Sequence, residues 1–366
     1  MSVEAWLRAL QAGQTASPLW NRALERYGDI AAVVAAAPAD LVATGLSEQT
    51  VERLRHPNAD LLSGWQDWLA RPGHRLLTLD NPAYPQLLRR SAAAPLALWA
   101  RGHHPDKLDT PQLAMVGARN ATSGGMANAH AFAEALGNHG LTITSGLATG
   151  IDTASHRGAL NTMGGTVAVL GNGIDLIYPH NNGPLAEEIA AKGIIVSEYP
   201  PGTPPQRHQF PARNRIIAGL SLGVLVIEAG RQSGSLITAR IAGEQGREVF
   251  AVPGSIHNPM ARGCHQLLRQ GAKLVEDAND VLSELAPLLQ LQLDPVKAAE
   301  PASLAAPILA DEYAQLLEAV GFDPTSINTI VARSTLTTAE VSSMLLLLEL
   351  EGHVEALPGG RYTRRA

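Results

Sequence analysis

Residues 113–152 read LAMVGARNATSGGMANAHAFAEALGNHGLTITSGLATGID, and this stretch decides the fold. An apolar run (113–117) ends in a turn of small residues, a helical stretch follows, and a second apolar run (141–146) ends in another small-residue turn. The unit then repeats through TVAVLGNG (166–173), GIIVSEYP (193–200), LGVLVIEAG (222–230), EVFAVPGS (248–255) and AKLVED (272–277), with helical stretches such as SLITARIAGEQG between them. These runs are apolar throughout instead of alternating, so both faces are buried. Strands buried on both faces with helices between them form a parallel, doubly wound α/β sheet. Residues 113–275 hold 24 of the 34 glycines, which places the tight turns where the strands end.

Outward from this core the pattern changes twice. Residues 1–70 read as a helical domain: WLRALQAG, SPLWNRALERYG, PADLVA and SEQTVERLR recur near 3.6 residues, with Gly or Pro at the breaks. Within it ATGLSEQTVERL fits either a helix-hairpin-helix, with one glycine where two are usual, or a plain structural helix pair. Residues 71–285 make the central domain. Residues 286–307 are a Pro/Ala-rich linker. Residues 308–366 read as three helices and a terminal hairpin, HVEALPGGRYTRR, which is the winged-helix order.

Composition narrows the class. The chain has 366 residues, net charge −6, 45% hydrophobic and 17% charged residues, the last below the usual ~25%, so a disordered chain is excluded. The single Cys264 closes no internal disulfide, and no zinc-spaced Cys/His set surrounds it. Glu4 and Arg8 stand where a signal peptide needs an apolar run, and no 18-residue apolar stretch exists, so the expectation is a soluble, cytoplasmic protein without a membrane partner. Residues 281–360 carry 11 acidic and 2 basic residues, whereas 113–275 carry 12 basic and 9 acidic. Any polyanion site is therefore focal.

In a parallel sheet every strand ends on one edge, where helix N-termini point free amides at ligands. Here that edge collects GARNATSGG, SGLATGID, GNGIDLIYP, EAGRQSGSL and PGS, which suits an anion, with Gly117 and Gly146 for close approach and Ser145, Ser233 and Ser235 as donors. A dinucleotide fingerprint and a P-loop lysine are both missing, so no cofactor is expected. QRHQFPARNRIIAGLS (206–221) adds Arg213 and Arg215 as a fork for successive phosphates and Phe210 as a stacking face, unless the arginines pair with Glu198 or Glu228. Asp152 with His156, and Asp175 with His180, are better read as caps and satisfied histidines than as metal or acid–base pairs.

The runs VGAR (116–119), SGLATGIDTASHRGAL (145–160), GNGIDLIYP (171–179), SEYPPGTPP (197–205), FPARNRIIAGLS (210–221), EAGRQSGSLITA (228–239), VFAVPGS (249–255) and GCHQLLRQGAKLV (263–275) closely resemble the DNA-processing protein A family, DprA or Smf. YPQLLRRSAAAPLALWARG (84–102) resembles the segment preceding that family's fold. The resemblance implies an extended Rossmann-like core that binds single-stranded DNA, forms a homodimer and hands the strand to the RecA recombinase during natural transformation. It implies DNA contact at Gly117, Arg119, Ser145, Gly146, Arg213 and Ser235, a sterile-alpha-motif-like domain at the N-terminus and a winged helix at the C-terminus. The competing enzyme reading is a nucleotide-processing protein like the nucleoside-monophosphate phosphoribohydrolases. Its P-G-G-x-G-T-x-x-E run, with a catalytic glutamate, is replaced here by EAGRQSGSLITA, so no catalytic residue is expected.

Overall fold

Strand β3 (Gln112–Val116) shows why the apolar runs are continuous. Leu113 and Met115 enter one buried cluster while Ala114 and Val116 enter another, one on each face of the sheet. The computed structural model describes residues 3–13, 18–91, 94–289, 311–334, 336–350 and 352–365, in two units that divide at residue 289. The first unit carries strands β1 (His74–Thr78), β2 (Ala97–Arg101), β3, β4 (Thr142–Ser145), β5 (Thr166–Leu170), β6 (Ile194–Ser197), β7 (Gly223–Val226), β8 (Glu248–Ala251) and β9 (Lys273–Leu274). They form one sheet in the order β1-β2-β6-β5-β4-β3-β7-β8-β9. The seven strands from β3 to β9 are mutually parallel, and β1 and β2 extend the sheet as an antiparallel hairpin against β6. The fold is the doubly wound, extended Rossmann-like sheet that the pattern and the resemblance imply.

From β3 the chain winds to β4, β5 and β6 on one side, and from β7 to β8 and β9 on the other. The loops after β3 and β7 therefore diverge, and a crevice opens outside their carboxyl ends. The helices Ser123–Asn138 and Ala278–Leu289 cover the face that holds Leu113 and Met115. The helices Gln209–Leu220, Ser235–Glu244 and Arg262–Arg269 cover the other.

Six N-terminal helices, from Val3–Ala12 to Ala59–Leu69, share a buried cluster with Leu96, Trp99, Leu170 and Ile195 of the sheet region. Trp65 and Trp68 meet Trp99 edge to face at 5.4 and 5.7 Å between ring centroids, so burial alone accounts for both tryptophans. In the ATGLSEQTVERL turn the Ser47 hydroxyl accepts the Thr50 N–H at 3.1 Å and caps its own helix. The linker expected at 286–307 starts inside the helix Ala278–Leu289 and otherwise lies outside the described residues.

The second unit has the winged-helix order. Its helices Asp311–Val320, Ile327–Ser334 and Thr338–Leu350 pack through Leu316, Val320, Ile330, Val341, Leu345 and Leu348. Strands β11 (Val354–Leu357) and β12 (Arg361–Arg364) form the wing, and β12 also pairs with β10 (Thr325–Ser326). No helix among the described residues is long and apolar enough to cross a membrane.

Candidate nucleic-acid interface

The first rim turn is laced to the fourth. The Ala118 N–H donates to the Glu228 carbonyl at 2.7 Å, and a Cβ on Gly117 would stand 2.9 Å from the same oxygen, so only glycine allows the two turns to meet. Gly150 sits at φ +75°, and the next amide, Ile151 N–H, donates to the Ala118 carbonyl at 3.2 Å. The Glu228 carboxylate, from the loop after the neighbouring strand β7, accepts the Thr122 N–H at 2.9 Å and its hydroxyl at 2.8 Å, which holds Thr122 as the cap of the helix Ser123–Asn138. The rim is a set of mutually braced loops.

Several candidates turn out to be braces themselves. Arg213, 5% exposed, donates Nη1 to the Gly146 carbonyl at 2.8 Å and to the Val169 carbonyl, tying the turn after β4 to the end of β5. Burial pushes its guanidinium down to about 10, with Asp152 opposing the shift and Arg119 adding to it, so it remains a cation at neutral pH. Asp152 accepts the N–H groups of Gly146 (3.1 Å) and Ala148 (3.3 Å); burial raises its carboxyl, and the neighbouring Arg213 partly offsets this. A Cβ on Gly146 would overlap the Arg213 guanidinium.

Arg215 donates both Nη groups to Glu198, with Nη1 to Oε2 at 2.9 Å and Nη2 to Oε1, in a nearly buried pair. The fork expected of Arg213 and Arg215 is thus directed inward, because carbonyls and a carboxylate converge on it from other strands. Ser145 is fully buried and donates its hydroxyl to the Met115 carbonyl at 2.7 Å. His156 is satisfied on both ring nitrogens: Nε2 accepts the Leu147 N–H at 3.3 Å, and Nδ1 lies 2.7 Å from the Thr166 hydroxyl. Because that hydroxyl donates to the Ile143 carbonyl, Nδ1 carries the proton. Burial pushes the imidazole down to about 3, and it stays neutral.

What remains open is a cleft of about 440 Å³ at the crevice between the β3 and β7 loops. Gly117 and Arg119 enter it from the β3 loop, Asp152 from the start of the helix after β4, Tyr178 from the β5 loop, Arg207 and Phe210 from the β6 connection, and Gly234 and Ser235 from the β7 loop. Arg119 is exposed, has no carboxylate partner among the described residues, and lies over the Phe210 ring at 5.7 Å from its centroid. Arg207 is likewise exposed. The Ser233 and Ser235 hydroxyls bond each other at 2.6 Å at the start of the helix Ser235–Glu244, and Ser235 faces the cleft. Three guanidinium groups against one buried carboxylate give the cleft a positive field. Sequence reasoning brought Arg119, Phe210 and Ser235 to this place, with Ser233 reaching it only through its bond to Ser235; it missed Tyr178, whose only signal is an aromatic residue late in GNGIDLIYP, and gave Arg207 no role of its own.

A family model described as DNA recombination-mediator protein A matches residues 75–286, more than half of the chain. The chain belongs to that family. The family's winged-helix domain matches residues 300–360. Protein Smf of Escherichia coli is 42% identical over 322 residues, covering 87% of this chain and 84% of that protein. DNA processing protein DprA of Streptococcus pneumoniae is 47% identical over 206 residues, 56% of this chain and 72% of that one. The X-ray structure of DNA processing protein A from S. pneumoniae superposes with a TM-score of 0.69 at 37% identity, over 78% of this chain and 98% of that one. A structure concerned with the single-stranded DNA binding mode of the Helicobacter pylori DNA processing protein A matches with a TM-score of 0.53 at 30% identity, over 58% of this chain and 96% of that one. A family member with this sheet and this winged helix is a DNA-processing protein.

Proposed function

We propose that this chain binds single-stranded DNA in the cleft at the β3/β7 crevice, protects the incoming strand, and loads the RecA recombinase onto it as a cytoplasmic homodimer, without catalytic turnover. The observation that carries the DNA reading is Arg119: an exposed guanidinium with no carboxylate partner among the described residues, over the Phe210 ring and lining the same cleft as Arg207, at the place where an open α/β sheet receives its ligand. The H. pylori relative, whose structure concerns single-stranded DNA binding, supports it. In this reading Arg119 and Arg207 contact phosphates, Arg213 adds field from beneath, Gly117 and Gly146 let the braced loops meet, and the Ser233–Ser235 turn bounds the strand. RecA and dimer assembly rest on the family resemblance.

The enzyme alternative needs a free acid near the cleft. Glu198 is held by Arg215, Glu228 by Thr122, and Asp152 by two backbone amides, which leaves none of the three as a ready catalyst. Fluorescence anisotropy with single- and double-stranded oligonucleotides at two salt concentrations tests the reading. Preference for single strands with marked salt sensitivity is expected, and equal or absent binding would overturn it. Release of phosphate from ATP or of base from AMP above about 0.01 per second, against a typical enzyme median of roughly 10 per second, would favour the enzyme.

A further inference from the structure

The cleft holds two aromatic rings, and only one of them has much open surface. Phe210 lies against the backbone of Gly171, where a Cβ would stand 2.8 Å from the ring atom Cδ1 and 3.3 Å from the Phe210 Cα. The Arg119 guanidinium lies over the same ring at 5.7 Å from its centroid. Tyr178 flanks it at 5.5 Å between centroids, inclined by 35°. Tyr178 itself is 42% exposed and lines the cleft, and its other aromatic neighbour, His180, meets it nearly edge-on at 6.3 Å and 76°. The pair is not a slot: a base between two rings needs about twice the ~3.4 Å stacking repeat, more than the 5.5 Å found. The rings form one wall, with Tyr178 outward and Phe210 behind.

We propose that Tyr178 is the base-stacking residue of the cleft, receiving one unpaired base on its exposed ring while Arg119 takes an adjacent phosphate, with Phe210 as the positioning residue that holds both. The assignment rests on the single-strand reading above. Chemistry favours it on two counts. A phenol ring offers a π face that any base can cover, so the contact tolerates all sequences. Because Arg119 and Tyr178 both touch Phe210, a base on the tyrosine brings its own backbone to the guanidinium.

The test is a salt titration of single-strand binding by Tyr178→Ala, Tyr178→Phe and Arg119→Ala proteins of full length. Tyr178→Ala is expected to weaken binding by about 5- to 100-fold at every salt concentration with no change in the slope of log K against log salt, since stacking releases no counterion. Tyr178→Phe should restore affinity, and Arg119→Ala should flatten the slope by about 0.7. A 5-iodouracil oligonucleotide irradiated with the wild-type protein should crosslink at Tyr178, which checks the contact without any substitution. Wild-type protein that binds single strands while Tyr178→Ala binds within twofold of it would overturn this proposal and leave the DNA reading standing. A flattened slope for Tyr178→Ala, a Tyr178→Phe protein as weak as the alanine variant, or a crosslink mapping elsewhere would overturn it too. Wild-type protein that binds no single strand would remove the DNA reading itself, and this one with it.

Discussion

Replacing Arg119 by Glu puts a negative charge where the cleft presents an exposed positive one. Three arginines line the cleft: Arg119 and Arg207 are exposed, and Arg213 is buried but charged, its guanidinium held near 10. At about 0.7 per neutralised phosphate, the two contacts of Arg119 and Arg207 give a slope of log K against log salt near −1.4 for one protomer, and a second protomer on the same strand would about double it. The substitution removes one contact and adds repulsion. Affinity should fall at least tenfold, or about 1.4 kcal/mol, and the slope should flatten by at least 0.7.

The fold should hardly notice. Arg119 has no ion pair among the described residues, so the loss is its contact with Phe210, worth about 0.5–1 kcal/mol at an exposed site. The assay is anisotropy with a labelled oligothymidine between 50 and 300 mM salt, paired with a urea melt. An Arg119→Glu protein that binds single strands normally at physiological salt, with an unchanged slope, would refute the placement of the strand in this cleft.

Other expectations follow from the same contacts. Arg215→Met leaves the buried Glu198 carboxylate, 3% exposed, without its guanidinium and should cost about 3–5 kcal/mol in a urea melt, whereas a fork that only touched DNA would cost almost nothing. His156 is held near 3 against an ordinary value of 6.5, so the unfolded chain binds its proton first. Its contribution to stability is therefore present above pH 6.5 and lost as the pH falls toward 3, and its imidazole NMR signal should stay flat between pH 7 and 4; a midpoint near 6.5 would contradict its burial. The winged helix should not be the main DNA reader, because Thr338–Leu350 carries Glu340 and Glu349 and no Lys or Arg. Truncation after residue 300 should leave single-strand affinity within about threefold, which is under 1 kcal/mol, and a hundredfold loss would reverse that assignment.

Sequence alone determined the sheet and its edge. Residues such as Leu113–Val116 are apolar at every position, and a run this short, closed by a small-residue turn and followed by a helical stretch, fits a strand covered on both faces, so the repeated parallel strands and the direction of their ends were legible. The edge hairpin was not: HRLLT (74–78) and ALWAR (97–101) are short and mixed, and β2 becomes a strand by pairing with β6, almost a hundred positions later. The chemistry of the rim divides in the same way. Glycines at 117 and 146 announced close approaches at the ends of the apolar runs, because a missing side chain is written in the sequence itself. The partners of the arginines are not local. QRHQFPARNRIIAGLS reads equally well as a phosphate fork or as a brace, and the choice was made by Gly146 and Val169, whose carbonyls lie 67 and 44 positions before Arg213, and by Glu198, 17 before Arg215. A guanidinium bonds whatever acceptor the fold brings within 3 Å, and only the tertiary structure decides which acceptors those are.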